Sequence, residues 1–224
     1  MSTSDLPVGP PVDATAATLP EPVTLRGHFG VIEKLDAGRH GPDLWPLLRG
    51  HDDIWTYMSY GPFAGADTFQ AWLGEREALK DPYYYAIVGR DGRAVGLSTL
   101  MEIRPAMRVV EVGHIVYSPA LQRTPLGTEA QFLLARYAME TLGYRRYEWK
   151  CNALNAPSRS AALRYGFAFE GILRQHMIVK GHSRDTAYFS MLDSEWPTRK
   201  AAFERWLAPD NFDSNGRQKT KLSA

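Results

Sequence analysis

At 224 residues, with 44% hydrophobic and 12% aromatic content, the chain is long and apolar enough to bury one substantial core. A formal charge of only +1, with no basic run inside the body of the chain, excludes a nucleic-acid groove built on phosphate contacts. The lone Cys151 excludes an internal disulfide, no Cys/His cluster has metal-ligand spacing, and no signal peptide or run of about 18 apolar residues is present, so a soluble cytoplasmic protein without a metal is expected.

Residues 1–22 are rich in Pro, Ala, Thr and Ser without periodicity, which makes them a flexible leader. One folded domain is expected over 23–195, followed by a helix and loose tail over 196–224. A first strand is expected across 23–35, with Gly27 and Gly30 at bends. Two helical pieces follow: a short one around Leu44 and Leu48, and a better one opened by a capping-box-like Asp67 and Gln70. Between them lies an aromatic loop carrying Trp55, Tyr57, Met58, Tyr60 and Phe63.

Residues 83–88 and 94–103 read as strands joined by a turn containing Asp91 and Gly92. The next stretch, from Val109 to Ala130, reads as strand, polar loop and helix, with the helix over 128–142. A loop feeding a helix leaves the first backbone N–H groups without partners and adds the dipole's positive end, so this stretch is suited to a phosphate or pyrophosphate. Residues 146–152 alternate strictly, Tyr147, Trp149 and Cys151 against Arg146, Glu148, Lys150 and Asn152. Asn155 then caps a helix with Pro157 in its first turn. Residues 171–179 and 185–192 make a hairpin, and 196–207 a terminal amphipathic helix. A helix between two strands of an otherwise antiparallel meander requires a parallel crossover, so the class is mixed α/β, or α+β.

Two sets of residues resemble a known family. Gln122, Arg123, Thr124, Pro125, Leu126 and Gly127, followed by Thr128, Glu129 and Ala130, resemble the acyl-CoA loop of the GNAT acetyltransferases. Pro125 stands where that pattern has its first glycine, and proline has no N–H to give. Asn155, Ser158, Ala162, Gly166, Phe167, Glu170, Gly171, Arg174 and Gln175 fall at the spacing of the RimJ/RimL-like branch. The resemblance covers roughly residues 23–196 and implies the GNAT fold, a mixed central sheet of about seven strands flanked by helices.

By that resemblance the substrate pair is acetyl-CoA and a primary amine, a protein N-terminus or a small molecule, with direct transfer in a ternary complex. The backbone of Ile115, Val116 and Tyr117 is implied to pair with the pantetheine arm. Gln122, Arg123, Thr124, Leu126, Gly127 and Thr128 are implied to cradle the pyrophosphate, and Asn155 to hold the arm from the other side, a role compatible with plain N-capping.

For chemistry, Ser158 takes the position of an acid near the sulfur, against the alternative of an ordinary first-turn serine. Glu111 is a candidate base, or else a paired surface carboxylate. His114 is a candidate that titrates near neutrality, or a packing residue. The tyrosine that many relatives carry four residues before Gly166 is Ala162 here, and His176 and Met177 stand where the branch can carry a carboxylate. Trp55, Tyr57, Tyr60 and Phe63 either line the acceptor groove or plug the space between helices and sheet. The alternative function is a catalytically weak CoA-binding or peptide-binding module. Phe203, Trp206 and Leu207 on the terminal helix either pack on their own core or cover a partner in a homodimer.

Overall fold

In the computed structural model, residues 6–214 and 216–222 are described. One eight-stranded sheet runs in the order β1-β2-β3-β4-β5-β6-β8-β7, built from β1 (Thr24–Arg26), β2 (Gly30–Lys34), β3 (Tyr83–Gly89), β4 (Ala94–Arg104), β5 (Val109–Tyr117), β6 (Arg146–Asn152), β7 (Ala168–Val179) and β8 (His182–Leu192). Every neighbouring pair is antiparallel except β5 and β6, joined by the helical crossover. The mixed class is as expected, with one strand more. The stretch read as a single first strand is a hairpin, because the Glu129 carboxylate accepts from the amides of His28, Phe29 and Gly30 at 2.5, 2.7 and 3.1 Å and holds a turn there.

Five helices cover the sheet: α1 (Ala37–Leu48), α2 (Ala66–Glu77), α3 (Pro125–Arg136, running into a π-turn over Tyr137–Thr141), α4 (Ala156–Arg164) and α5 (Trp196–Leu207). Alternation divides the strands between two cores. Val110, Val112, Tyr147, Trp149, Ala187 and Phe189 face α3, α4 and α5. Tyr84, Ala86, Val88, Leu97 and Val116 face α1 and α2. Among the described residues the second face is therefore covered by helices only over β2 to β5, and β6, β8 and β7 carry none there.

Three local readings are corrected. Helix α1 extends back to Ala37 through Pro42 and Pro46, because Asp36 caps it and Gln70 Nε2 donates to the Ala37 carbonyl. The cap of α2 is Gly65 with Thr68, so Asp67 and Gln70 do not form the box. Helix α3 starts at Pro125, three residues before Thr128, with Thr124 as its N-cap.

Parts of the segments flanking the domain make contacts with it. Of the expected leader, residues 1–5 lie outside the described residues; farther along, Ala17 and Thr18 donate to the carbonyls of Pro105 and Leu142 at 3.1 and 2.9 Å, and Asp13 pairs with Arg108. Beyond α5, Asn211 accepts from Thr220 and Leu222 is buried. Phe203, Trp206 and Leu207 pack into their own core, Phe203 stacking on Phe132 and Tyr165. Full burial of such side chains contributes about 1.5–3 kcal/mol each.

Candidate active site

The parallel pairing of β5 with β6 runs from Val109 opposite Arg146 to Val112 opposite Trp149 and stops. Beyond that point β5 stays with β4 as far as Tyr117, and β6 stays with β8 as far as Asn152. The strands splay, and the edge of residues 113–117 faces a gap with its backbone groups open to an added chain. A bulge marks the opening: Leu97 pairs with Val116 and Thr99 with Gly113, so His114 and Ile115 stand opposite Ser98, and His114 takes a left-handed φ of 45°.

The loop from β5 to α3 ends at the same gap. Tyr117 reaches under it, donating to the Gly127 carbonyl at 2.7 Å and accepting from Gln131 at 2.8 Å. A Cβ on Gly127 would meet that ring at 3.0 Å and the Leu121 carbonyl at 3.1 Å, so any larger residue there has to push one of them back by a few tenths of an ångström. Two of the implied cradle donors are already engaged: the Thr124 amide with the Leu121 carbonyl and the Gly127 amide with Thr124 Oγ1. Gln122, exposed, donates from its side chain to the Tyr117 carbonyl at 3.0 Å. Pro125 falls at the first helical position, where the missing N–H costs nothing, and Leu126 follows with an amide that has no intrahelical partner.

On the other side of the gap Asn155 caps α4, its side chain accepting from the Ser158 amide at 3.1 Å. The Ser158 hydroxyl accepts from Trp149 Nε1 at 3.0 Å. That oxygen also neighbours Cys151, whose thiol is pushed up by burial and drawn back by a hydrogen bond from Ser158. Ser158 is thus fixed beside Trp149, the last residue of β6 paired with β5, between the indole that donates to it and the Cys151 thiol that accepts from it.

Glu111 emerges on the opposite face. It is 5% exposed and paired with Lys150 Nζ at 2.9 Å, so the paired carboxylate is a buried one. Burial pushes its pKa up to about 7, against the pull of Lys150. Lys150 also meets Glu148 at 3.3 Å, and Glu148 meets Arg104 and Arg146 at 2.6 and 2.7 Å. Arg146 continues the chain to Glu170, which accepts from Ser190. Sequence alternation already placed Glu148 and Lys150 on one side; the parallel register that brings Glu111 to them was invisible.

His114 does not titrate near neutrality. Burial, with the charges of Arg76 and Arg184, lowers its pKa to about 4. Its ring lies between Tyr60 and Tyr84, and Nδ1 shares a 2.9 Å hydrogen bond with the Tyr60 hydroxyl. The aromatic loop divides between its two readings. Trp55, 2% exposed, and Phe63 belong to a plug with Phe69 and Trp72. Tyr60 touches the gap through His114, and the Tyr57 hydroxyl donates to the Leu154 carbonyl at 3.2 Å, tying the loop to the entry of α4. Lys180, at the tip of the β7–β8 hairpin, donates to the Trp55 carbonyl at 2.9 Å. Together these contacts tie the aromatic loop to the entry of α4 and to the tip of the β7–β8 hairpin.

The acetyltransferase (GNAT) domain profile matches residues 38–168, more than half of the chain and both sides of the splayed gap. The chain belongs to the GNAT acetyltransferase family. It is similar to a crystal structure of a GCN5-related N-acetyltransferase from Brucella melitensis, 45% identical with a TM-score of 0.91, covering 94% of this chain and 96% of that one. A second, described as a probable acetyltransferase of the GNAT family from Chromobacterium violaceum ATCC 12472, is 43% identical at TM-score 0.81 and covers 88% and 100%. Among curated proteins, "Putative ribosomal N-acetyltransferase YdaF" of Bacillus subtilis (strain 168) is 30% identical over 110 residues, 49% of this chain and 60% of that protein. The chain thus spans about three fifths of the length of this relative.

GNAT enzymes carry out acetyl-CoA-dependent acetyl transfer, and the residues here fit that coenzyme. A free strand edge, a helix N-terminus and an amide at Leu126 meet the needs of a pantetheine arm and a pyrophosphate. Among the described residues no group of three His, Cys, Asp or Glu side chains is placed to hold a metal, and no helix is long and apolar enough to cross a membrane.

Proposed function

We propose that this protein acetylates a primary amine by direct transfer within a ternary complex. One observation carries the reading: a candidate base and a candidate acid approach the gap between β5 and β6 from opposite faces of the sheet. Glu111 rises from the open face, and Ser158 stands on the helical face beside Trp149. Acetyl-CoA supplies an acyl group activated as a thioester. In this reading the edge of Ile115, Val116 and Tyr117 takes the pantetheine arm, with the Asn155 amide group on its other side. Arg123, Thr124, Leu126, Gly127 and Thr128 take the pyrophosphate, Arg123 and Leu126 offering the amides that carry no loop bond. Gln122 braces the loop.

Glu111, titrating near 7, accepts the proton of the attacking amine as the C–N bond forms. Ser158, held by the Trp149 indole, turns its proton from Cys151 to the thioester sulfur as the C–S bond breaks, and is reprotonated from solvent. His114, neutral at pH 7, positions Tyr60 at the acceptor side. The RimJ/RimL-like branch and a cytoplasmic setting are part of the same proposal, supported by the spacing from Asn155 to Gln175 and the unpaired Cys151. A homodimer through β7 completes it: this edge strand exposes Ile172, Leu173, Met177 and Ile178, while the apolar face of α5 is spent in the core. The test is thiol release from acetyl-CoA with a panel of amines and N-terminal peptides. Turnover that falls about 10²-fold or more in Glu111→Gln supports the reading, and equal turnover in the variant overturns the base assignment.

A further inference from the structure

The open face of β6, β8 and β7 is rich in charge, and nearly all of it is neutralised internally. Arg104 and Arg146 hold Glu148, Arg146 holds Glu170, and Lys150 holds Glu111. Arg184 differs. It lies on β8 two residues before Thr186, and its Nε donates to Thr186 Oγ1 at 3.2 Å, while His176 Nδ1 shares a 3.0 Å hydrogen bond with the same oxygen. Among the described residues no carboxylate pairs with its guanidinium. Burial lowers its pKa, only partly offset by Cys151, Glu111 and Tyr188, so this is a half-buried cation without its counterion.

Its position gives that vacancy a use. Asp185 next to it bonds both neighbouring segments, its carbonyl accepting from the Ala153 amide at 2.9 Å and its carboxylate from the Gln175 amide at 2.7 Å. Arg184 therefore stands at the C-terminal end of β6, beside the entry to α4. There Tyr57 and Lys180 bring the aromatic loop across. Arg184 and Arg76 both lie close enough to His114 to help lower its pKa, after burial, so two cationic side chains stand on this side of the gap, with Glu111 as the carboxylate nearest Arg184. Fixed at Nε, the guanidinium keeps a planar pair of N–H donors, the geometry that binds carboxylate or phosphate oxygens two at a time.

We propose that Arg184 determines acceptor specificity by binding an oxyanion, carboxylate or phosphate, carried on the same molecule as the reactive amine. A polyamine meets the opposite field, since the carboxylates of this face are already engaged. The proposal rests on the amine-acetyltransferase reading above, and its test separates the two.

Kinetics of thiol release are measured with matched acceptors: amines bearing a free carboxylate, their carboxamides, aminoalkyl phosphates, and spermidine. Binding of the same acids to the CoA-loaded protein is followed by calorimetry. The expected result is an acid acceptor, carboxylate or phosphate, preferred about tenfold or more in kcat/KM over its neutral counterpart. Arg184→Gln should abolish that preference through KM, with Arg184→Lys intermediate and acetyl-CoA affinity unchanged. Acid binding that is lost in Arg184→Gln supports the oxyanion site even if no amine is turned over, an outcome that would sink only the enzyme reading. Neutral amines or spermidine turned over as well as the acids, at a ratio that Arg184→Gln leaves alone, overturn the inference while the acetyltransferase stands. Absence of both acid binding and acid preference overturns it as well.

Discussion

Trp149 Nε1 donates to Ser158 Oγ across 3.0 Å, joining the last paired residue of β6 to the first turn of α4. An indole N–H is a donor only, so it occupies a lone pair of the hydroxyl and leaves the serine proton to the Cys151 side. Ser158→Ala should lower kcat by about 10²-fold, with KM for acetyl-CoA little changed. Trp149→His, or Phe with its lost N–H, should lower kcat less while leaving Ser158 in place. Steady-state kinetics with saturating amine check both.

Glu111 gives the reaction a pH limb. With its pKa raised to about 7, the base form gains population as pH rises, so kcat/KM should climb through neutrality and level off above it. Removing the Lys150 cation raises the carboxyl further, so Lys150→Met should move the limb to higher pH, and Glu111→Gln should remove it. Because the folded pKa lies above the ordinary glutamate value of 4.5, stability linked to this group is full below that value and is lost as pH rises through about 7. Chemical denaturation of wild type and Glu111→Gln across that range reads the difference.

Glu129 accepts three backbone amides from the turn between β1 and β2. Glu129→Ala leaves those donors without their charged partner and should cost about 3 kcal/mol of stability, measured by urea unfolding. Gly27→Ala should destabilise for the complementary reason, because its Cβ would overlap the same carboxylate.

Gly127 and Tyr117 are packed against each other at the head of α3. Gly127→Ala should push the helix start away from the loop and raise KM for acetyl-CoA about tenfold, whereas Tyr117→Phe, which loses two hydrogen bonds, should cost about 1–2 kcal/mol of stability. Comparing the two variants separates the loop's shape from its support.

Periodicity alone located β6 and α5, since strict alternation over residues 146–152 and helical spacing over 196–207 are local signals. The β1–β2 hairpin was hidden because the group that bends it, Glu129, lies about a hundred residues away. Two prolines inside α1 concealed a helix that tertiary contacts with Gln70 sustain. Motif spacing singled out Ser158, Asn155 and Glu111 as candidates. The fall in the His114 pKa, the Lys150 pair and the unpaired Arg184 were not legible there, because each depends on which strands lie side by side and what burial leaves around a charge.

The most direct test is calorimetric titration of acetyl-CoA into the wild-type protein and into Gly127→Trp, which fills the loop beside Tyr117. Micromolar binding to the wild type that disappears in a folded variant is the predicted result. No binding to the wild type at millimolar ligand, or equal binding to both proteins, would contradict the placement of the coenzyme at the β5–α3 loop and the transfer chemistry built on it.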